Sequence, residues 1–264
     1  FFIKVNRRSE LAPLIIAHRG AMTEAPENTR PAFDKAVSYA VDGIEFDVQI
    51  TSDGFPVIFH DSNLKKFNEK SKSISDLTFQ DLSAFDWGGW FSDEFRNEKI
   101  LTLDQVLKQY GQKNRLMIEI KPSPKAETRN LYYQLAAMVV ESIRNNIPND
   151  LIPNMYILSF DPEILKTEFL NDPDLNYVLN LDAPLIDQSH VNIDPEILCG
   201  YCIELTKLSR QFVEHVHHYD KMIMTYSCNS EETLRHLLDL GLDVIMTDDP
   251  GHPMWKQFDL LSHV

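Results

Sequence analysis

The stretch Gly43–Asp61, GIEFDVQITSDGFPVIFHD, decides the fold and locates the candidate site. Its first half, Gly43–Ile50, is an apolar run that nevertheless contains Glu45 and Asp47. Side chains two residues apart in a β-strand point to the same face, so the two carboxylates share a face. Buried carboxylates held side by side repel each other and lose hydration unless a cation or protons compensate. The pair therefore indicates a divalent metal site.

The second half of this stretch predicts a β-hairpin. Asp53-Gly54 is a strong turn signal, and the apolar run after it is typical of a strand. Too few residues separate the two runs for a parallel crossover, which needs about a dozen or more. With Asp53 and Gly54 as the loop, counting outward pairs His60 with Asp47. A register slip of one or two residues would place His60 near Glu45 instead, so either register brings a histidine to the acidic pair.

Composition limits the classes of function. A chain of 264 residues that is 43% hydrophobic can bury a large core. A net charge of −15 argues against nucleic acid and against an anionic membrane surface as partners. Three cysteines are too few for a disulfide framework, and no apolar run is long enough to predict an integral membrane segment. We expect a cytoplasmic protein, although a chain that begins with Phe1 leaves a secreted or periplasmic location open.

Strand and helix patterns alternate along the chain. Besides the return arm of the hairpin, Val57–Phe59, the sequence predicts eight strands: Leu14–Ala17, Gly43–Ile50, Arg115–Ile120, Met155–Phe160, Asn176–Leu181, Tyr201–Leu205, Met222–Ser227 and Val244–Thr247. Helical patterns occupy most of the connections: Arg30–Ala40, Phe79–Phe85, Leu103–Tyr110, Ala126–Asn145, a helix opened by Asp161-Pro162, a weaker one before Asn192, Ser209–Tyr219 and a helix from Ser230 to Leu240.

This alternation predicts an α/β fold, a (β/α)₈ TIM-type barrel with a β-hairpin after strand 2. Residues 62–100 are the least regular part of the chain, and we expect them to form a small insertion over one end of the core. Residues 1–13 are expected to pack as an arm, and residues 1–264 to form a single domain. An open doubly wound sheet is the alternative, but the first strand is not followed by a Gly-rich phosphate loop.

Polar residues follow the predicted strands at the end where a barrel carries its site. They are His18 and Arg19 after strand one, Glu45 and Asp47 on strand two, His60 after the hairpin, and Glu119 and Lys121 at the end of the next barrel strand. Three carboxylates without thiolates suit a hard cation, Mg²⁺ or Ca²⁺. The two basic side chains would bind an anionic oxygen, and two histidines would supply a base and an acid. This chemistry is what phosphodiester cleavage requires.

These residues carry a resemblance to the glycerophosphodiester phosphodiesterase family. The matching motifs occur in the same order: His18-Arg19-Gly20, Pro26-Glu27-Asn28-Thr29, Glu45-x-Asp47, His60-Asp61, Trp90-Phe91-Ser92, Thr102-Leu103, Glu119-x-Lys121, Ser159-Phe160 and Thr247-Asp248-Asp249-Pro250. The resemblance spans most of the chain. It implies a TIM-type barrel with Glu45, Asp47 and Glu119 as metal ligands and His18 with His60 as the acid–base pair.

The resemblance also implies metal-dependent hydrolysis of small-molecule glycerophosphodiesters to sn-glycerol 3-phosphate and an alcohol. We count Arg19, Lys121 and Tyr226 as the residues that bind substrate phosphate. Tyr226 stands where the family usually has tryptophan, and residues 65–68 lack the family's usual Arg-Thr-Thr-Gly-like pattern. Two other functions stay open, a lysophospholipase D-type activity on lipids and a catalytically silent binding protein. The headgroup, the choice between Mg²⁺ and Ca²⁺, the number of metal ions, the first nucleophile and the oligomeric state also stay open.

Overall fold

The computed structural model describes residues 12–184 and 193–261. The predicted weak helix before Asn192 and most of the predicted arm over residues 1–13 lie outside these ranges. The described strands are β1 Leu14–His18, β2 Gly43–Ile50, β3 Pro56–Ile58, β4 Arg115–Ile120, β5 Met155–Ser159, β6 Asn176–Leu181, β7 Gly200–Glu204, β8 Met222–Tyr226 and β9 Val244–Thr247. The described α-helices are α1 Arg30–Ser38, α2 Phe79–Ser83, α3 Leu103–Tyr110, α4 Arg129–Asn146, α5 Pro162–Asn171, α6 Arg210–His218, α7 Glu231–Leu240 and α8 Met254–Gln257.

Eight of the nine described strands are parallel and form a closed barrel. Their hydrogen-bonded order is β1-β9-β8-β7-β6-β5-β4-β2, and the pairing of β1 with β2 closes the ring. β3 is antiparallel to β2 and lies outside the ring. The prediction of a (β/α)₈ barrel with a hairpin after strand 2 is therefore confirmed, and the open doubly wound sheet is excluded.

The barrel strands are covered on both faces, and β2 shows how this positions the site. All eight residues of β2 are buried. Ile44, Phe46 and Val48 belong to the large core between the strands and the surrounding helices. Because side chains alternate along a strand, Glu45 and Asp47 point the other way, into the barrel. Below them, the interior of the barrel is filled by a second apolar cluster: Ile16, Met117, Tyr156, Leu158, Val178, Cys202, Met224, Val244 and Met246.

The hairpin register differs by one residue from the register that we counted from a two-residue loop. Val48 pairs with Ile58, and the backbone N–H of Phe59 donates to the carbonyl of Asp47 at 2.9 Å. The loop has three residues, because Gly54 adopts a positive φ of 86° and a three-residue hairpin places glycine at this position. The predicted pairing of His60 with Asp47 is therefore wrong, and His60 lies one residue beyond the partner of Asp47.

The insertion over residues 62–100 packs on the outer arm of the hairpin around an apolar cluster of its own. This insertion core consists of Val57, Phe59, Leu64, Ile74, Leu82, Trp87 and Ile100. Short turns of 3₁₀-helix and the single α-helix α2 account for its regular structure within the described residues. Among the helices that the structure describes, none is both long and apolar enough to span a bilayer.

Candidate active site

The C-terminal ends of the barrel strands bring all eight predicted site residues together. Seven of them line one cavity of about 150 Å³: His18, Arg19, Glu45, His60, Glu119, Lys121 and Tyr226. The eighth, Asp47, is fully buried beneath the cavity and forms ion pairs with Arg19 and Lys121. The site has the location that a barrel of this type gives to its ligands.

Glu45, Asp47 and Glu119 form a buried cluster. Each offers a carboxylate oxygen, and these oxygens lie within 4.8 Å of one another. The strand pairing produces this arrangement, since the register aligns Asp47 of β2 with Glu119 of β4. The three residues are at most 8% exposed. A set of three oxygen donors without sulfur fits a hard divalent cation.

Two basic side chains adjoin this cluster. Lys121 Nζ lies 2.6 Å from Glu119 Oε1 and 2.9 Å from Asp47 Oδ1. Arg19 Nε lies 3.3 Å from Asp47 Oδ2, and its Nη1 donates to Glu27 Oε2 at 3.1 Å. Burial lowers the pKa of Arg19 and of Lys121, but the neighbouring carboxylates outweigh it and raise each pKa above its usual value. Both side chains are therefore cationic.

The charges of Lys121 and Arg19 stabilise ionised Asp47 more than ionised Glu45. Burial raises the pKa of Asp47, but Lys121 and Arg19 outweigh burial and hold that pKa well below its usual range. Burial raises the pKa of Glu45 well above its usual value, and repulsion by Asp47 and Glu119 raises it further. Glu45 is the carboxylate whose negative charge the protein does not balance.

An uncompensated carboxylate of this kind fits a bound cation. Arg19 contributes a backbone N–H to Glu45 Oε2 at 3.2 Å, from a left-handed backbone conformation with φ of 56°. Asp47 Oδ1 forms an ion pair with Lys121 Nζ at 2.9 Å. The cluster therefore has both the donor atoms and the unmet negative charge of a site that could hold a divalent metal ion.

His18 is held by groups at the ends of β8 and β9. Its Nδ1 lies 2.7 Å from Asp248 Oδ1, and its Nε2 lies 3.9 Å from Glu45 Oε2. Burial raises the pKa of Asp248, but the interactions with His18 and the hydrogen bonds from Asn229 and Ser227 together outweigh burial and lower that pKa. An ionised carboxylate only accepts hydrogen bonds, so Nδ1 of His18 donates to Asp248, and Nε2 faces the carboxylate cluster. The ring stacks on Tyr226 at a centroid distance of 5.7 Å.

His60 lies across the cavity and is oriented by its neighbour in sequence. Its Nδ1 lies 2.9 Å from Asp61 Oδ1. The hydrogen bond from His60 is the largest influence on Asp61 and, with Lys66, lowers the pKa of its carboxyl to about 2. His60 also lines a second, open groove of about 350 Å³, whose outer wall includes Pro122, Pro124 and Phe160. His60 thus stands where the inner cavity and the outer groove meet.

Several residues of the site were not predicted as site residues from the sequence. Asp248 and Glu27 belong to the motifs that carry the family resemblance, but their contacts with His18 and Arg19 depend on residues far apart in the chain. Asn28, in the same motif as Glu27, donates from its side chain to Asp47 Oδ2 at 2.8 Å. Lys66 and the cavity residues Asn180 and Cys202 have no sequence signal that marks them.

The chain is similar in sequence to proteins of one known family. Residues 18–252 match the glycerophosphoryl diester phosphodiesterase family. A glycerophosphodiester phosphodiesterase of Bacillus altitudinis is 30% identical over 240 residues, which covers 89% of this chain and 94% of that protein. One of Caldanaerobacter subterraneus is 29% identical over 239 residues, covering 90% of this chain and 94% of that protein.

Among solved structures, a phosphodiesterase of Oleispira antarctica in complex with its product sn-glycerol-3-phosphate superimposes with a TM-score of 0.79. It has 28% sequence identity, and the match covers 92% of this chain and 96% of that chain. The family match spans the strands that carry all eight site residues, from His18 to beyond Tyr226. The chain belongs to the glycerophosphoryl diester phosphodiesterase family.

Proposed function

We propose that this protein hydrolyses glycerophosphodiesters to sn-glycerol 3-phosphate and an alcohol, with the help of a divalent cation. The observation that carries the proposal is the convergence of three buried carboxylates, two cationic side chains and two carboxylate-held histidines on one cavity. Family membership and the product found in the similar Oleispira antarctica structure support the same reaction.

In this proposal Glu45, Asp47 and Glu119 hold the cation, Mg²⁺ or Ca²⁺. Both ions prefer oxygen ligands, and the cluster supplies carboxylates alone. When bound, the cation stabilises the negative charge that builds on the phosphate oxygens. Burial and repulsion by Asp47 and Glu119 disfavour the charged form of Glu45, and a bound cation would offset both.

Arg19 and Lys121 bind the phosphate in this proposal, with Tyr226 along the wall of the same cavity. The two cationic side chains are only 15% and 14% exposed and already form ion pairs with Asp47, so they are oriented before substrate arrives. Fixed positive charge in a site shielded from water stabilises a transition state more than mobile charge in solution does. Their role is to position the phosphate and to lower the energy of the charged transition state.

We assign the two histidines from the cavities that they line. The inner cavity, of about 150 Å³, suits the small glycerol end of the substrate, and His18 lines this cavity but not the outer groove. The outer groove, of about 350 Å³, is open and suits an alcohol of variable size, and His60 lines both spaces. His18 Nε2 therefore takes the proton of the nucleophile, and His60 protonates the departing alcohol.

The aromatic residues of the insertion support a small substrate over a lipid. Trp87 is buried in the insertion core, and its Nε1 donates to the Leu82 carbonyl at 2.8 Å. Among the insertion aromatics Trp87, Trp90 and Phe91, Trp90 alone is exposed, at 40%. One exposed ring does not make the apolar groove that an acyl chain requires. For this reason we favour glycerophosphodiesters over lysophospholipids.

The test is release of sn-glycerol 3-phosphate from glycerophosphoethanolamine by the purified protein. We expect turnover with added Mg²⁺ or Ca²⁺, its loss after chelation, and its loss in His18→Ala. A parallel assay with a lysophospholipid as substrate distinguishes glycerophosphodiester hydrolysis from the lysophospholipase D-type activity. A folded protein that releases no product with either ion would reject the proposal, and turnover of the lysophospholipid alone would replace it with the lipid activity.

A further inference from the structure

Lys66 belongs to the insertion but reaches the edge of the active site. It lies in the 3₁₀ turn Lys65–Phe67, and its side chain is 27% exposed. Its ammonium group forms an ion pair with Glu27 and lies 3.2 Å from Asp61 Oδ2. One cation therefore joins a carboxylate of the loop after β1 to a carboxylate at the end of the hairpin.

Each of these carboxylates also holds a residue of the proposed catalytic machinery. Glu27 accepts a hydrogen bond from Arg19 Nη1 at 3.1 Å. Asp61 lies 2.9 Å from His60 Nδ1. Lys66 thus sits between the side chains that orient the phosphate-binding arginine and the proposed acid.

Glu27, His60 and Asp61 have the geometry of a small ligand cluster. Each offers one ligand-type atom, and these atoms lie within 4.8 Å of one another. Two carboxylates and an imidazole are a donor set that a divalent ion can use. Here the ammonium of Lys66 lies against both carboxylates, and the ring of Trp90 covers it at 4.6 Å from Nζ to the centroid.

We propose that Lys66 acts as a built-in cation that takes the place of a second metal ion and positions Arg19 and His60 through Glu27 and Asp61. This inference rests on the proposed function for the roles of Arg19 and His60. It adds that the protein binds one divalent ion, at Glu45, Asp47 and Glu119, because the second cluster already contains its positive charge.

The first experiment counts bound metal and does not depend on activity. Purified wild type, Lys66→Met and Lys65→Met are titrated with Mn²⁺ in a calorimeter and by equilibrium dialysis. Lys65 is the matched control, since it is exposed and adjacent in the same turn. We expect one ion per chain for the wild type and for Lys65→Met. We expect a second, weaker ion for Lys66→Met, because its cluster has lost the ammonium group.

The second experiment measures kcat/KM on glycerophosphoethanolamine and on the p-nitrophenyl ester of glycerol 3-phosphate. Removing a residue that orients a catalytic group costs about 10–100-fold, and because Lys66 acts on both Arg19 and His60 we expect a loss of about tenfold, at the lower end of this range, for Lys66→Met on the first ester. The loss should be smaller on the second ester, because p-nitrophenolate leaves without a proton from His60. Lys66→Arg should recover most of the rate, and a thermal melt verifies that each variant is folded.

The outcomes separate this inference from the proposed function. Lys66→Met that matches Lys65→Met in ion count and in kcat/KM overturns the inference. If Lys66→Met binds a second ion but keeps the wild-type kcat/KM, Lys66 does replace a metal ion but does not position Arg19 and His60. If Lys66→Met loses equally on both esters, Lys66 does not act through His60. A wild type that turns over neither ester counts against the proposed function, and the ion count still decides the role of Lys66.

Discussion

The two histidines of the site are oriented in the same way but stand in unequal surroundings. Each has its Nδ1 against an aspartate, Asp248 for His18 and Asp61 for His60. The His18 side chain is 12% exposed and the His60 side chain 30%. Asp248 is 230 residues away from His18 in the chain, whereas Asp61 is the next residue after His60.

The partners of the two aspartates differ as well. Asp248 also accepts hydrogen bonds from Ser227 Oγ at 2.9 Å and from Asn229 Nδ2 at 2.7 Å, both in the loop after β8. Asp61, in contrast, forms an ion pair with Lys66 of the insertion. One side of the site is thus fixed by the barrel and the other by the hairpin and the insertion. In the proposed assignment, the side held by the barrel faces the glycerol phosphate part of the substrate, and the side held by the hairpin and the insertion faces the variable alcohol.

The largest expected effects separate the roles of the two histidines. Losing a general acid or base costs about 10²–10⁴-fold, so His18→Ala should lose this much on glycerophosphoethanolamine and on the p-nitrophenyl ester alike. His60→Ala should lose as much on the first ester but less than about tenfold on the second, which needs no proton on its leaving group. Measurement of kcat/KM for both variants on both esters tests this difference.

The control is His236→Ala, an exposed histidine on α7. It should match the wild type on both esters. If His18→Ala and His60→Ala lose the same kcat/KM on each ester, the cavities that the two histidines line do not determine which is base and which is acid. If His18→Ala is the variant that keeps its activity on the p-nitrophenyl ester, His18 is the acid and His60 the base.

Asparagine variants of Asp248 and Asp61 should lose less activity than the histidine variants, and the loss should be larger for Asp248. Asp248→Asn leaves an amide that cannot accept the proton of Nδ1 as the carboxylate does, so we expect a loss in kcat/KM of about 10–100-fold. Asp61→Asn should lose less than about tenfold, because His60 is more exposed and less constrained. A loss in Asp61→Asn as large as that in Asp248→Asn would contradict the unequal support of the two rings.

Asp61 should also contribute to the pH dependence of stability. Its folded pKa of about 2 lies below the ordinary value of 3.8, so the stabilisation is present above about pH 4 and is lost as the pH falls towards 2. After a discount for solvent screening we expect about 1 kcal/mol. Urea unfolding of wild type and Asp61→Asn at pH 7 and pH 3 measures it. Identical stability changes in the two proteins would mean that the ion pair contributes nothing.

The smallest expected effect concerns Ser227. Ser227→Ala removes one of the donors to Asp248 but leaves Asn229 in place. A hydrogen bond of this kind contributes about 0.5–1 kcal/mol net, so kcat/KM should fall about threefold. The p-nitrophenyl ester provides a sensitive assay. A loss comparable with that of Asp248→Asn would mean that the serine, and not the aspartate, is the main support of His18.

The barrel and the carboxylate cluster could be predicted from the sequence because both follow from patterns of residues close together in the chain. The spacing of Glu45 and Asp47 within β2 fixes their common face, and eight strand patterns joined by helical ones favour a barrel over an open sheet. The hairpin register was wrong because the turn signal Asp53-Gly54 is compatible with loops of two and of three residues. A single positive φ at Gly54 decided between them.

The contacts of Asp248 and Lys66 could not be read from the sequence. Asp248 meets His18 only because β1 and β9 are neighbours in the closed ring. Lys66 meets Glu27 through the packing of the insertion, which has no periodic pattern. Lone charged residues on irregular segments are most often solvated, so only three-dimensional packing distinguishes this lysine from the exposed Lys65 beside it.

The separate core of the insertion has a consequence for how the protein can evolve and unfold. Its apolar side chains pack mainly on one another and on the hairpin, outside the cluster that joins strands and helices. A segment with its own small core forms a separate cooperative unit, which opens at a lower free energy than the body of the protein. Mutations there can change how Lys66 contacts Glu27 and Asp61, the partners of Arg19 and His60, while the core of the barrel stays intact. Within the described residues, the insertion is therefore a segment through which the surroundings of the site can change without a change in the barrel.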